Sequence, residues 1–380
     1  MGFARWPGRR FHQLCSRALQ IALQAIGGGW ELWSLSSFRT RFDSGFRTLR
    51  RPPVYRFRCA CCGGLKLPVE GITADAGQFY EQADLMSVSR AVDFLSAELR
   101  DRNLPSTVTV AKHRQVRGRL GGNAGVETTR TICFSVSTLI MVLFACLSAN
   151  LIRLGDAVLW IRALPIGGFM SKIAASLVLI QAETVWERQP ALWEIAGFRH
   201  LRGFLWKEVV LSLRYVDDIL LVSGMLCQPC LSSLPEIVYP VSFDVGQERD
   251  VLPFVDVHVN LRLLGATGDP SASLFLVDKN DAWARGEAPQ GRHRFPPGCR
   301  GLRVDRAHLT SYFTGRLARM EELRLPEPER LRSLSLRLLE LRRHRYPWSR
   351  LRAAVYGVKA SRSGVHILRK AFVAVRSADA

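Results

Sequence analysis

The chain has 380 residues, and its hydrophobic fraction of 48% is enough to bury a core of two or three subdomains, which excludes disorder throughout. Its formal net charge is +20, and most of the basic side chains are arginine, whose planar guanidinium group suits phosphate oxygens. The charge therefore favours a nucleic-acid partner, although an anionic membrane surface or an arginine-rich coding bias would give the same balance.

The N-terminal residues are basic and weakly periodic. Four arginines precede the first acidic residue, Glu31, a composition that organelle transit peptides share. A plain basic extension over residues 1–53 is the preferred interpretation, because Arg50-Arg51-Pro52-Pro53 interrupts regular structure and marks a boundary. We expect an intracellular protein, nuclear or cytoplasmic, with organelle targeting as the less favoured alternative.

Nine cysteines stand at irregular spacing, which is typical of a reduced intracellular protein and not of a disulfide scaffold. Two Cys-x-x-Cys pairs, Cys59/Cys62 and Cys227/Cys230, have a spacing that suits zinc. The pairs are 165 residues apart, and nothing in the sequence indicates that they meet in space. Free thiols are the expectation, with a structural zinc ion as the alternative.

Hydrophobic periodicity predicts alternating strands and helices beyond residue 53. In chain order they are a strand and turn over 54–67, a strand over 69–74 that ends at Asp75, a helix over 86–100, a basic connector over 112–119, an apolar helix over 132–152, a strand over 156–161, a loop over 164–172 that opens a helix through residue 180, strands over 209–216 and 219–222, and a strand over 254–259.

The apolar run over 132–152 is long enough on paper to cross a bilayer. It contains several Ser, Thr and Asn residues and lacks flanking aromatic anchors, so a buried core helix is preferred to a single membrane span. From about residue 300 the chain is helical and rich in arginine. One apolar face carries Leu309, Tyr312, Phe313, Leu317 and Met320, another carries Leu331, Leu334, Leu338 and Leu341, and arginines are expected on the opposite faces.

Adjacent carboxylates lie between two strand-like runs in Tyr215-Val216-Asp217-Asp218. Alone, such a string is typical of a polar hairpin turn. Nucleotide transfer to a primer 3′-hydroxyl uses two divalent ions held by clustered carboxylates from separate segments. Magnesium favours carboxylate oxygens and water, and Asp75, at the end of a short strand, supplies the third acid.

In this order the motifs resemble those of the reverse transcriptase family, over roughly residues 54–352 and most closely the non-viral, Penelope-like type. The resemblance implies that Asp75, Asp217 and Asp218 are catalytic and bind metal. It implies that the backbone at Ala76 contacts the incoming triphosphate and that Tyr80 screens its sugar. Leu164-Pro165-Ile166-Gly167 and the following Gly168, Ser171 and Lys172 are similar to the loop and helix that line the nucleotide and the template.

Two weaker similarities lie downstream. Phe254-Val255-Asp256-Val257 resembles a strand of non-viral retroelement enzymes, and Arg343-His344-Arg345-Tyr346-Pro347 is like the closing thumb segment of Penelope-like elements. The resemblance also implies nucleic-acid contacts from Tyr215, Arg316, Arg319, Arg342, Arg343 and Arg345.

The chain departs from the family pattern at Ile166, where many viral members carry Gln, and at Lys172, where Ser-Pro is usual. The basic residue that grips the triphosphate is not identified by a motif, and Arg56, Arg58 and Lys66 are all candidates. The acids Asp84, Asp244, Asp250 and Asp256 are interpreted as surface or structural residues.

The predicted fold class is therefore α+β, a right-hand polymerase with a palm of antiparallel sheet backed by helices. The predicted segments are a basic N-terminal extension (1–53), fingers and palm (54–260), a connector (261–299), a helical Arg-rich thumb (300–352) and a C-terminal tail (353–380). The implied function is RNA-directed DNA synthesis, and the alternative is an inactive descendant that only binds nucleic acid. The implied cofactors are two Mg²⁺ ions, with Mn²⁺ as the substitute. The implied partners are an RNA template, a DNA primer, deoxynucleotides and a nuclease or other retroelement protein acting in trans, without a membrane.

Overall fold

The structure is a computed structural model that describes residues 8–27, 29–51, 58–76, 84–112, 117–148, 151–154, 156–160, 169–239, 241–246, 251–264, 270–277, 281–285 and 306–378. The strands are β1 (Glu70–Asp75), β2 (Thr107–Ala111), β3 (Gly118–Leu120), β4 (Thr131–Ser135), β5 (Leu151–Leu154), β6 (Ala157–Trp160), β7 (Val210–Tyr215), β8 (Asp218–Ser223), β9 (Asp244–Val245), β10 (Val251–Phe254), β11 (Val257–Leu264) and β12 (Pro270–Leu276).

The helices are α1 (Arg9–Ala25), α2 (Phe38–Thr48), α3 (Leu85–Asp101), α4 (Val136–Ser148), α5 (Phe169–Glu187), α6 (Leu192–Ile195), α7 (Trp206–Val209), α8 (Gln228–Ser232), α9 (Leu234–Val238), α10 (Asp281–Arg285), α11 (Arg306–Glu322), α12 (Glu327–Arg343), α13 (Trp348–Tyr356) and α14 (Arg362–Ala378). The contacts divide the chain into two compact units, Met1–Leu32 with Thr48–Gln247 and Trp33–Arg47 with Glu248–Ala380. The boundaries of the domains predicted above stay predictions.

The central sheet of the first unit has the strand order β7-β8-β1-β9, and all of its pairs are antiparallel. In β8 the residues from Ile219 to Ser223 are all buried, and in β7 those from Val210 to Arg214 are buried. Buried residues on both faces explain why β8 is a continuous apolar run from Ile219 to Val222, whereas the buried Ser212 and Arg214 interrupt the apolar residues of β7. The predicted hairpin over residues 209–222 is confirmed, and β1 is the predicted strand that ends at Asp75.

Helices supply the remaining core of the first unit. The described side chains of α5 from Met170 to Ile180 are almost all buried, and the helix packs against α1 and α3. The residues expected as a plain basic extension instead form α1, because Leu14, Ala18 and Ala22 follow a helical spacing and share one buried face. The apolar run divides into β4 and the core helix α4, and no helix within the described residues is long and apolar enough to cross a membrane.

The second unit contains a three-stranded antiparallel sheet, β10-β11-β12, and the helices α11 to α14. The single strand predicted over 254–259 is wrong. Val255 and Asp256 form a turn between β10 and β11, where Phe254 pairs with Val257 and Val255 has a φ of 60°. Of the residues expected as a tail, 353–356 complete α13 and 362–378 form α14, which packs on α12 through buried residues such as Leu368 and Phe372.

A buried arginine joins three segments of the first unit at the β7–β8 hairpin. The guanidinium group of Arg214, on β7, forms ion pairs with Glu31 and with Glu183 of α5, and all three side chains are buried. The phenol of Tyr239 donates to Glu183 Oε1 at 2.8 Å, and the Trp30 amide donates to Glu183 Oε2 at 3.0 Å. Burial alone would lower the pKa of Arg214, but Glu183 and Glu31 outweigh burial and raise that pKa above its ordinary value.

We expect Arg214→Met to lower the free energy of unfolding by about 3–5 kcal/mol, because it leaves two buried carboxylates without their cation. Urea unfolding followed by circular dichroism measures the change. The control is Arg50→Met, which removes an ion pair with Glu208 in which the arginine side chain is 56% exposed. That change should cost less than about 1 kcal/mol. Equal losses from the two variants would contradict the importance assigned to Arg214.

Candidate active site

Three aspartates occupy directly opposite positions on three adjacent strands. In the antiparallel register Asp75 of β1 is directly opposite Asp218 of β8, and on its other side it is opposite Asp244 of β9. Residues that are directly opposite in neighbouring strands present their side chains on the same face, with Cβ atoms about 4.5–5.5 Å apart. Like charges in such positions destabilise a sheet unless a cation compensates them. A cation bound at this edge would compensate the repulsion between them.

Asp217 joins the row of carboxylates from the hairpin turn. The turn consists of Val216 and Asp217, and Tyr215 pairs with Asp218 to close it. Val216 has a φ of 63°, which is costly for a β-branched residue at a position where glycine is usual. Arg214 Nη1 donates to Val216 O at 2.8 Å, and the Ala76 amide donates to Asp217 O at 3.3 Å. The surrounding contacts therefore hold the strained turn against the end of β1.

The electrostatics of the site show the crowding of negative charge. Partial burial raises the pKa of the Asp75 carboxyl, and the carboxylates of Asp217 and Asp244 raise it further. Asp75 and Asp244 are exposed, and Asp217 and Asp218 are half-buried, so solvent and ions reach the row. Oxygen donors that repel each other at an accessible edge fit a hard cation such as Mg²⁺, which binds carboxylates and keeps several waters.

Tyr215 and Lys172, both expected to contact nucleic acid, lie close together beside the hairpin. The Lys172 ammonium is 5.0 Å from the centroid of the Tyr215 ring, a cation–π contact. Ser171, one residue earlier on α5, is buried, so its hydroxyl does not reach the surface in this structure. The expectations for Tyr80, Ile166, Gly167 and Gly168 fall outside the described residues.

Three of the groups predicted to contact the triphosphate make hydrogen bonds within the protein. The Ala76 amide, expected to face the nucleotide, donates to the backbone carbonyl of Asp217 at 3.3 Å. Lys66 is buried, and its ammonium donates to the carbonyls of Leu67 and Pro68 at 2.8 and 3.4 Å. Arg58 is exposed and donates to Gly63 O at 3.2 Å, and Arg56 lies outside the described residues. Lys66 in particular is held by the backbone of its own segment, because a buried ammonium group needs acceptors.

The arginines predicted on the exposed faces of the C-terminal helices divide into two groups. Arg316 is buried and donates to Ser333 Oγ at 3.0 Å, and Arg319 pairs with Asp256 at 2.5 Å, so both serve the interior of the second unit. The half-buried Arg342 donates to Tyr346 O at 2.9 Å. Arg343, whose Nε donates to Ala284 O at 3.1 Å, and Arg345 are exposed and stay candidates for phosphate contacts. The pattern of leucines alone does not distinguish these groups.

Sequence reasoning missed the position of Asp244, which was interpreted as a surface or structural acid. The alternation of apolar Val241, Phe243 and Val245 around it is a strand signal, but a two-residue strand is too short for this signal to be decisive. It also missed Arg214 and Glu183, charged residues inside apolar segments, where a charge is rarely buried without a partner.

The two Cys-x-x-Cys pairs come together, contrary to the expectation of separate free thiols. The sulfur atoms of Cys59, Cys62, Cys227 and Cys230 all lie within 4.8 Å of one another. Among the residues that the structure describes, these four sulfur atoms are the group of His, Cys, Asp or Glu ligand atoms that is close enough to hold one ion. The long separation in sequence concealed it, because the antiparallel pairing of β1 with β8 brings the pairs together.

No protein-family model and no curated protein sequence matches the chain. Among solved structures it is similar to telomerase from Candida albicans in complex with the TWJ fragment of telomeric RNA, at 14% identity and a TM-score of 0.50. The alignment covers 98% of this chain and 53% of the telomerase chain. Telomerase from Candida tropicalis matches at 12% identity in complex with the same kind of RNA fragment and at 13% without it, both with a TM-score of 0.44. These alignments cover 98% and 97% of this chain and 48% and 55% of the other.

The chain thus spans about half the length of the telomerase chains that it resembles. At 14% identity the likeness to the Candida albicans structure shows the fold alone. The fold is of the reverse transcriptase-like type found in telomerase, a mixed α/β architecture, as the order of the sequence motifs predicts. The similarity does not support the narrower Penelope-like assignment.

Proposed function

We propose that the chain is an RNA-directed DNA polymerase that extends a primer 3′-hydroxyl at the row of carboxylates Asp75, Asp217 and Asp218. The observation that carries this proposal is the strand register, which puts Asp75 opposite Asp218 and beside the turn that holds Asp217. Separate segments of the chain thus supply clustered acids on rigid strands, which is the requirement of nucleotide transfer by two metal ions. The telomerase-like fold is consistent with this chemistry.

The residues have distinct roles in this proposal. Asp75 and Asp217 would hold the two Mg²⁺ ions, with Mn²⁺ as a substitute, and Asp218 would complete the negative charge of the site. When bound, the ions supply the positive charge that steadies the attacking and leaving oxygens. Asp244 adds a fourth carboxylate beside Asp75 and would increase the affinity for cations. Tyr80 would screen the sugar, and Ile166 and Gly167 would line the nucleotide.

The remaining elements of a right-hand polymerase are proposed by the same reasoning. The first unit would supply the fingers and palm, and the helices of the second unit would supply the thumb. RNA template and DNA primer would bind through phosphates, with Lys172 and Tyr215 beside the hairpin and the exposed Arg343 and Arg345 on the helical unit. Such contacts give affinity that depends on salt and little on sequence.

We expect the purified protein to extend a DNA primer on an RNA template with deoxynucleotides and Mg²⁺. Asp217→Asn should lower the rate at least about a hundredfold, because a neutral amide binds the cations more weakly than a carboxylate. The control is Asp93→Asn, which removes a charge from an exposed position on α3 and should leave the rate unchanged. Gel analysis of the extended primer measures all three proteins.

Equal extension by the wild type and Asp217→Asn would contradict the assignment of the active site. Absence of extension by every protein, with binding of primer–template intact, would contradict the enzymatic proposal and favour the non-catalytic nucleic-acid-binding alternative. This alternative is supported by Ile166 and Lys172, which differ from the residues that are usual at these positions in the family.

We expect Asp75→Asn to abolish extension while it raises the melting temperature of the metal-free protein by about 1–3 °C at low salt. Because the pKa of Asp75 is higher in the folded protein than in the unfolded chain, the ionised side chain opposes folding. The wild type therefore loses stability as the pH rises from the ordinary pKa of aspartate through the raised pKa of the folded state. The gain should therefore shrink at high salt and at a pH near the ordinary pKa of aspartate. Thermal unfolding in EDTA measures it, and a lower melting temperature for Asp75→Asn would contradict the proposed repulsion.

We expect the double change Arg343→Ala and Arg345→Ala to weaken binding of primer–template. Each lost phosphate contact should reduce the slope of log affinity against log salt by about 0.7–0.9. Fluorescence anisotropy at several salt concentrations measures the slope. Arg100→Ala, which removes an arginine 80% exposed on α3, is the control. A slope that changes equally in both variants would show that the effect depends on total charge and not on these two positions.

A further inference from the structure

Four cysteine side chains converge at the end of the central sheet that is remote from the carboxylates. Cys59 Sγ lies 3.7 Å from Cys230 Sγ, and Cys62 Sγ lies 3.7 Å from Cys227 Sγ. All four sulfur atoms are within 4.8 Å of one another, and none of these cysteines is in a disulfide. Each short contact therefore joins a sulfur atom of the first pair to a sulfur atom of the second pair, and the four sulfur atoms surround a common centre.

The spacing of the sulfur atoms fits one tetrahedral ion. With Zn–S bonds of about 2.3 Å, tetrahedral geometry puts neighbouring sulfur atoms about 3.8 Å apart. An all-thiolate set with Cys-x-x-Cys spacing is the usual ligand set of structural zinc, because soft thiolates select zinc over the hard cations that carboxylates bind. With four protein ligands the coordination sphere is closed, so the ion has no open position for catalysis.

Backbone hydrogen bonds hold the first pair in a tight turn. The Cys59 amide donates to Gly64 O at 2.8 Å, and the Gly63 amide donates to Cys59 O at 3.0 Å. Gly63 has a φ of 68°, which glycine adopts without steric cost. The Cys61 amide donates to Cys59 Sγ at 3.3 Å, the kind of contact that stabilises a metal-bound thiolate. This turn is ordered by its own bonds and presents both of its sulfur atoms on one side.

The second pair is tied to the first by bonds that cross between the segments. The Ala60 amide donates to Met225 O at 2.9 Å, and the Cys227 amide donates to Cys59 Sγ at 3.3 Å. Glu70, the first residue of β1, accepts from the amides of Leu67 and Gln228 at 2.7 and 2.5 Å. Apart from Cys59 Sγ, these bonds involve no sulfur atom, so backbone and carboxylate contacts position the two segments against each other.

A nearby cation compensates the charge of the cluster. Four thiolates and one Zn²⁺ carry a net charge of −2, which is costly to bury without a counter-charge. The buried Lys66 ammonium interacts electrostatically with Glu70 and also with Cys59 and Cys227. It is therefore a candidate counter-charge for a metal–thiolate cluster, shared with Glu70.

We propose that Cys59, Cys62, Cys227 and Cys230 bind one structural Zn²⁺ ion that joins the segment before β1 to the segment after β8. These two strands pair from Glu70 opposite Ser223 to Asp75 opposite Asp218, six paired positions that span about 17 Å. The ion would thus clamp one end of the strand pair whose other end carries the candidate catalytic acids. This inference does not depend on polymerase activity.

Zinc content measured by plasma mass spectrometry on the purified full chain tests the proposal. We expect about one Zn²⁺ ion per chain in the wild type, and near zero in Cys62→Ser and in Cys227→Ser. Cys61→Ser is the matched control, because Cys61 lies between two proposed ligands without belonging to the group, and it should retain zinc. Substitution with Co²⁺ should give the absorption bands of tetrahedral thiolate coordination in the wild type and in Cys61→Ser.

A second measurement does not require the variants to fold. A strong chelator should lower the melting temperature of the wild type by several degrees, and added Zn²⁺ but not Mg²⁺ should restore it. The proposal is overturned by a wild type without zinc, by iron in its place, by equal zinc in Cys62→Ser and the wild type, by loss of zinc from Cys61→Ser, or by a melting temperature that the chelator does not change.

Discussion

The architecture of the candidate site depends on one buried ion-pair network, centred on Arg214. Its guanidinium group joins Glu31, Glu183 and the carbonyl of Val216, so the N-terminal segment, α5 and the hairpin turn are fixed by a single side chain. Buried charges are favourable only when they are fully paired, and this requirement specifies one arrangement of the three segments. The strained backbone of Val216 persists because its surroundings leave it no alternative.

The same strand pair carries both chemical features of the first unit, at opposite ends. At the turn, the register puts Asp75 opposite Asp218 and Asp244, an arrangement of like charges that is unfavourable without a compensating cation. At the other end, soft thiolates converge around a single centre. The difference in donor chemistry separates the roles of the two sites: oxygen ligands at an accessible edge suit exchangeable Mg²⁺, whereas a closed set of sulfur ligands suits a permanent structural ion.

The sequence predicts local elements well where periodicity and turn chemistry are strong. The hairpin, the strand that ends at Asp75 and the core helix α4 all follow from runs of apolar residues. Contacts that depend on tertiary pairing are not predictable in this way: Asp244 becomes relevant only through the register of β9 with β1, and the cysteine pairs meet only because β1 and β8 are antiparallel. Arg316 is buried and Arg343 is exposed, and the positions of these arginines in their helices do not predict the difference.

Asp75, Asp217 and Asp218 are proposed to form one metal site. Cleavage of the polypeptide by hydroxyl radicals from bound Fe²⁺, which replaces Mg²⁺ at carboxylate sites, tests it most directly, because the cuts mark backbone next to the ion. We expect cuts around residue 75 and around residues 217–218, suppressed by excess Mg²⁺ and absent from Asp217→Asn. Cuts confined to other segments, or cuts near residue 75 that persist in Asp217→Asn, would contradict it.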